Sequence, residues 1–263
     1  MIVALIISSI AALATVIGGV LATHPKMTTR PYLAMSLAFA AGAMLFVSFG
    51  ELLPHSANLH DGTGGDSTQA AAYIAFFAGM LLVGLIDRLL PSSLNPSEIE
   101  GREDTLDLKS KKAHKKLLRS GVLVTLVLAL HNFPEGLSTF MASYENITVG
   151  ISLAIAIAIH NIPEGIAIAA PIYASTKNRK KAITWASISG AVEIIGAVAG
   201  AMIVGWVIPA EFLNIMLGLV AGMMVFVAID ELLPAARRYQ TSGHQVVYGV
   251  ILGMAVVALS LTI

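Results

Sequence analysis

Residues 131–136 read His-Asn-Phe-Pro-Glu-Gly, and residues 160–165 read His-Asn-Ile-Pro-Glu-Gly. In each hexapeptide the His and Glu are four apart and the Asn and Glu three apart, so on a helix all three side chains project from nearly one face. Imidazole nitrogen beside carboxylate and amide oxygen is a donor set for zinc, or for ferrous, cobalt or manganese ions in a mixed N/O site. The first copy offers His131, Asn132 and Glu135; the second offers His160, Asn161 and Glu164; Glu193, further along, suits the same set. The chain has no cysteine, which excludes thiolate ligands and a disulfide framework. Pro134 and Pro163 withhold the amide that would bond the carbonyls of Leu130 and Ile159, so a kink with bare backbone oxygen is expected beside each ligand group. Gly136 and Gly165 allow neighbouring helices to approach closely.

The elements that must carry these groups are membrane spans. Apolar residues make up 56% of the 263 positions and charged residues 12%, against about 25% charged in a soluble domain. Apolar runs long enough to cross a hydrocarbon core of about 30 Å fall at roughly 1–22, 32–54, 70–90, 118–142, 148–173, 182–206, 212–234 and 246–263. The first lacks a basic leader and a small-residue cleavage site, so it reads as a retained span. The fold class expected is all-α, integral to the membrane, with eight transmembrane helices in a single domain over 1–263. Counted from the helix starts, His131, His160 and Glu193 lie roughly 16–20 Å in, near mid-membrane. Three intramembrane carboxylates, Glu135, Glu164 and Glu193, cost on the order of 8–10 kcal/mol on insertion scales if left uncompensated. No Lys or Arg is placed inside to offset them, so an imported cation or protons must.

Net charge is zero, sixteen basic against sixteen acidic residues, and gives no reason to expect a nucleic-acid partner. All sixteen basic residues fall in alternate loops: Lys26 and Arg30; Arg88 to Arg119; Lys177 to Lys181; Arg237 and Arg238. Basic loops stay cytoplasmic, so both termini are expected outside. The long basic loop at about 91–117, rich in Pro, Ser, Glu and Lys, is cytoplasmic on this scheme.

A second echo pairs Gly42, Met44, Phe46, Val47 and Glu51-Leu52-Leu53-Pro54 with Gly222, Met224, Phe226, Val227 and Glu231-Leu232-Leu233-Pro234. Helices two and seven run in opposite directions across the membrane on the loop charges, as do helices four and five. Helices 1–3 are therefore expected to be mirrored by 6–8 around the 4–5 pair, an inverted repeat of the kind that places a ligand site at mid-membrane.

Blander readings stand beside these. A lone intramembrane His is ordinarily an interhelical hydrogen-bonder, but duplication of the whole hexapeptide argues against that. Glu193 alone also suits a structural hydrogen-bonding acid. Glu51, Asp87, Asp230 and Glu231 fall near helix ends, where interfacial roles compete with ligation, and Met44 suits core packing. The run at 109–119 suits an orienting determinant touching anionic lipid, and Asn146-Ile147-Thr148 matches a glycosylation sequon. An intramembrane metalloenzyme fits less well than a carrier, because the repeated hexapeptide lacks the general-base Glu placement of His-Glu-x-x-His. A proton- or sodium-coupled carrier of organic solutes is the third reading.

At these residues the sequence resembles the ZIP (Zrt/Irt-like) family of divalent metal transporters, and within it the bacterial ZupT-type members. The likeness rests on both hexapeptides, on the Ser-Gly-Ala-Val-Glu stretch ending at Glu193, and on Asp-Glu-Leu-Leu-Pro at 230–234. It implies uptake of zinc and ferrous iron, with manganese or cobalt, towards the cytoplasm across the cell inner membrane, without enzymatic activity or a prosthetic group. It implies a binuclear centre: Glu135 and Glu164 bridge, His160 and His131 line the first site, and Asn132, Asn161 and Glu193 line the second. The partners expected are the transported ions, the bilayer and a second copy in a homodimer. Many family members have a histidine-rich cytoplasmic loop; here that loop has only His114, which puts metal sensing by it in doubt.

Overall fold

The computed structural model of the chain describes residues 1–27, 29–58, 65–89, 125, 128–129, 132–204 and 210–260. His131, most of the expected fourth span before it, and the loop at 91–117 lie outside the described residues. Every regular element among those described is helical. In chain order these are α1 (Ile2–Leu21), α2 (Arg30–Ser56), α3 (Asp66–Leu89), α4 (132–145), α5 (Ile147–Thr176), α6 (Arg179–Ile203), α7 (Ala210–Phe226 continued by Val227–Leu232 and Leu233–Tyr239) and α8 (Gln245–Ser260). Six of them, α1, α2, α3, α5, α6 and α7, are long and apolar enough to cross a membrane, and α8 is a shorter apolar helix.

Helix ends follow local chemistry. Asn146 breaks the chain between α4 and α5, and its side chain accepts the backbone N–H of Thr148 at 2.9 Å and of Val149 at 3.3 Å. The amide of the sequon Asn146-Ile147-Thr148 is thus used as an N-cap. α4 and α5 fold back on each other so tightly there that a Cβ on Gly150 would lie 2.2 Å from Ser143 Cα. Asn178 caps α6 in the same way, accepting from Lys181 N at 3.0 Å.

α5 runs through Pro163 and Pro171 as one helix, whereas α2 and α7 each widen into a π-helical stretch, Ser48–Leu52 and Val227–Leu232, just before Pro54 and Pro234. A proline ring collides with the carbonyl four residues back, here that of Gly50 or Asp230, and a wider turn relieves the collision. The same Glu-Leu-Leu-Pro sequence thus makes the same distortion twice.

The interior is built from small side chains, as helix packing in lipid requires. α1, α5 and α6 pack on one another, and α2, α3, α7 and α8 form a second set through the α2–α8 and α3–α7 pairs; α2 also packs on α5 and links the two. α4 lies against α6. Glycines meet backbone at four crossings: Gly18 and Gly165 between α1 and α5, Gly136 and Gly196 between α4 and α6, Gly42 and Gly253 between α2 and α8, Gly79 and Gly222 between α3 and α7. Many large apolar side chains point outward. Ile74, Phe77, Leu81 and Leu85 on one face of α3 are 70%, 60%, 73% and 56% exposed, a surface that belongs in hydrocarbon and not in water.

Candidate metal site

Three helices and one backbone carbonyl converge where both hexapeptides fall. α4 supplies Asn132 and Glu135, α5 supplies His160, Asn161 and Glu164, and α6 supplies Glu193; each is at most 1% exposed. The tight α4–α6 crossing sets their spacing, since a Cβ on Gly136 would lie 1.8 Å from the carbonyl oxygen of Glu193. The site therefore depends on a glycine directly after Glu135. On the other side, a Cβ on Gly165 would lie 2.0 Å from the Thr15 carbonyl oxygen, which brings α1 against the ligand-bearing stretch of α5.

His160 Nε2 lies 2.7 Å from Glu135 Oε1, joining the two hexapeptides. The other ring nitrogen, Nδ1, is 3.2 Å from the carbonyl oxygen of Ala156. A carbonyl can only accept, so Nδ1 carries a proton, and the 2.7 Å contact at Nε2 requires a further hydrogen between ring and carboxylate, at the place where a metal ion would bind both. Ligand atoms of Glu135, His160 and Glu164 all lie within 4.8 Å of one another, close enough for a single ion to touch all three.

The two asparagines form a second, repeated contact. Asn132 Nδ2 donates to Glu164 Oε1 at 2.9 Å, and Asn161 Nδ2 donates to Glu193 Oε2 at 2.8 Å, each pair being separated by 32 residues. Asn161 Nδ2 also donates to the Ala11 carbonyl of α1 at 3.1 Å. With both amide nitrogens engaged, the oxygens Asn132 Oδ1 and Asn161 Oδ1 are buried with no hydrogen-bond partner among the described residues, as is Glu193 Oε1. Buried acceptors in that state are costly unless a donor or a cation meets them. Three acceptors together favour a cation.

Of the seven expected ligands, six are brought together, and His131 lies outside the described residues. Two contributors were not singled out from sequence. Ser189, four residues before Glu193 and so on the same face of α6, donates to Glu164 Oε1 at 3.3 Å and accepts from Asn132 Nδ2 at 3.2 Å; that spacing was a usable signal. Ala11 contributes only backbone, for which no side-chain pattern exists.

A further acidic group lies where α3 meets α7. Asp87, Asp230 and Glu231 bring ligand atoms within 4.8 Å of one another, with Glu231 only 8% exposed. Glu51, the counterpart of Glu231 in the second echo, instead lies 3.6 Å from His55 Nδ1. Sequence position near helix ends pointed to interfacial roles for these groups, but Glu231 is buried. Met44, 1% exposed, is core as expected.

Several long apolar helices around a buried cluster of His, Asn and Glu define the class: a multi-pass membrane protein whose interior gathers side chains of metal-ligand type. Residues 90–261 match the family model described as ZIP Zinc transporter, and the chain belongs to that family. It is 43% identical to the zinc transporter ZupT of Corynebacterium glutamicum over 257 residues, covering 95% of each chain. The zinc transporter ZupT of Streptococcus mutans is 40% identical over 264 residues, with 98% of this chain and 96% of that protein covered. That of Chlorobium phaeovibrioides is 45% identical over 264 residues, with the same coverage.

Proposed function

We propose that the chain takes up divalent transition-metal ions, zinc first and ferrous iron with it, into the cytoplasm through the His/Asn/Glu cluster. The observation that carries this reading is the set of buried oxygens, Asn132 Oδ1, Asn161 Oδ1 and Glu193 Oε1, that meet no donor among the described residues. They sit beside a His–Glu–Glu group within 4.8 Å. The sequence places no Lys or Arg between Arg119 and Lys177, or between Lys181 and Arg237, so an imported cation is the natural countercharge.

The donors divide into two adjoining sites. The first ion is held by His160, Glu135 and Glu164, with His131 as a further ligand. The second is held by Asn132, Asn161 and Glu193, with Glu135 and Glu164 positioned to bridge. One divalent ion leaves three carboxylates with net negative charge and two ions slightly overcompensate, which keeps the second ion from being trapped. Neutral amides suit that site, because they add donors without adding repulsion. Manganese and cobalt fit the same N/O donor set.

Around this site the eight helices form an inverted repeat, α1–α3 mirrored by α6–α8 about α4 and α5, with both termini periplasmic and the basic loop at 91–117 in the cytoplasm. The reciprocal glycine crossings support this, since α1–α5 answers α6–α4 and α2–α8 answers α7–α3. Gly42 and Gly222, partners in the second echo, occupy matching places in the latter two crossings.

The test is uptake of radioactive zinc and iron into proteoliposomes containing only the purified chain. Saturable uptake that zinc and iron compete for is expected. Zinc exclusion from vesicles that hold folded protein overturns the reading.

A further inference from the structure

The α6 residue Ser189 belongs to no expected ligand set, yet its side chain touches the side chains of two members of the cluster. It is fully buried. Asn132 Nδ2 donates to Glu164 Oε1 at 2.9 Å and to Ser189 Oγ at 3.2 Å, and Ser189 Oγ donates in turn to the same Glu164 Oε1 at 3.3 Å. The three groups close a ring in which Asn132 donates twice, Ser189 Oγ accepts once and donates once, and Glu164 Oε1 accepts twice; Asn132 Nδ2 also donates to the Ser189 carbonyl oxygen at 3.5 Å. Glu164 Oε1 is thus shared by two neutral donors, one amide and one hydroxyl. Asn132 is thereby turned so that Oδ1, which has no partner among the described residues, points out of the ring.

We infer that Ser189 sets metal selectivity by limiting how many oxygens Glu164 gives to an ion. This rests on the proposed metal-transport reading of the site. With Oε1 engaged by two neutral donors, an ion between Glu135, His160 and Glu164 is favoured to meet Glu164 through one oxygen. One imidazole and two single carboxylate oxygens, with one further ligand, make the four-coordinate environment that zinc prefers. Manganese favours six oxygen-rich ligands and gains most from a carboxylate that binds through both oxygens. Removing the hydroxyl takes one of the two donors from Oε1 and leaves Asn132 Nδ2 with Glu164 Oε1 and the Ser189 carbonyl as acceptors. Glu164 can then chelate, and the environment shifts towards higher coordination. In the wild type, bridging to a second ion falls first to Glu135, because Glu164 reaches that ion only by releasing one of its ring donors. Ser189 acts through Glu164 and Asn132, so it is a positioning residue.

The experiment compares wild type with Ser189→Ala, Ser189→Thr and Ser189→Val as purified, reconstituted chains. It reads KM and maximal rate for zinc and manganese separately, and the visible absorption of the cobalt-loaded protein in detergent. Ser189→Ala is expected to lower the zinc-to-manganese preference about tenfold, mainly through KM, and to weaken the cobalt bands, which are intense in four-coordinate and faint in six-coordinate geometry. Thr keeps the hydroxyl and restores both; Val, of the same shape without it, behaves as Ala. Should Ala fail to insert, Ser189→Gly removes the same hydroxyl and carries the same expectation. An unchanged preference and an unchanged cobalt spectrum in Ala and Val overturn the inference while leaving the transport reading intact, as does a Thr variant no better than Val. A wild type that takes up neither ion sinks the transport reading, and this inference with it.

Discussion

Each buried carboxylate is held by a different neighbour, and the neighbours predict different losses. Glu135 faces His160, Glu164 faces Asn132 and Ser189, and Glu193 faces Asn161. Glu135→Ala or Glu164→Ala removes a ligand from the first site and is expected to reduce zinc uptake by at least about 100-fold, with normal membrane insertion. Vesicle uptake normalised to inserted protein checks this, and near-normal uptake in either variant contradicts the shared site. His160→Ala is expected to reduce zinc transport more than manganese transport, because imidazole is the ligand that separates an N/O site from an all-oxygen one; equal loss for both ions counts against it. Asn161→Asp replaces the donor to Glu193 by a second negative charge. It is expected to tighten equilibrium zinc binding and slow turnover about tenfold, the effect of about 1.4 kcal/mol of added ground-state binding. Binding and turnover that both stay at wild-type values withdraw Asn161 from the second site.

At the scale of the helices, backbone-to-backbone crossings position the site. Gly136 sits against the carbonyl of Glu193, so a methyl group there must push α4 away from α6. Gly136→Ala is expected to cost about 1–3 kcal/mol from overpacking and to lose uptake with it, although no ligand is changed. Gly243→Ala is the control, since nothing lies within 4 Å of the added Cβ; melting in detergent and zinc uptake should both match wild type. If Gly136→Ala keeps both as well, the α4–α6 contact does not set the ligand spacing. The π-helical stretches before Pro54 and Pro234 show a related economy, one short sequence producing one distortion in two elements. In α7 that distortion brings Asp230 and Glu231 to Asp87, and in α2 it places Glu51 beside His55.

For the molecule as a whole, the scheme of eight spans places the first turn of α3 and the turn between α7 and α8 on opposite sides of the membrane. Ser67 and Ser242 are both exposed in those segments, and the chain has no native cysteine. Cysteine at Ser67 is expected to react with an impermeant thiol reagent from the outside of intact cells, and cysteine at Ser242 only after the membrane is opened. Labelling of both in intact cells breaks the scheme.

Several features were legible in sequence because each is local. Apolar runs set helix existence, since a span must satisfy its backbone bonds internally, and apart from the start of α4, which lies outside the described residues, the described helices begin and end within a few residues of the runs. The duplicated hexapeptide picked out side chains that the structure gathers, because His, Asn and Glu at spacings of three and four share a face once they lie on a helix. Other features depended on how helices from distant parts of the chain meet. That Asn132 reaches Glu164 and Asn161 reaches Glu193, that Ser189 closes a ring with two of them, and that Ala11 offers its carbonyl are consequences of glycine crossings whose depth no periodicity encodes. Likewise Asp87, Asp230 and Glu231 look interfacial when counted along their own helices, and they become one group only because α3 packs on α7. A residue's face follows from its own helix; its partners follow from the distance between two helices, which only the packed structure decides.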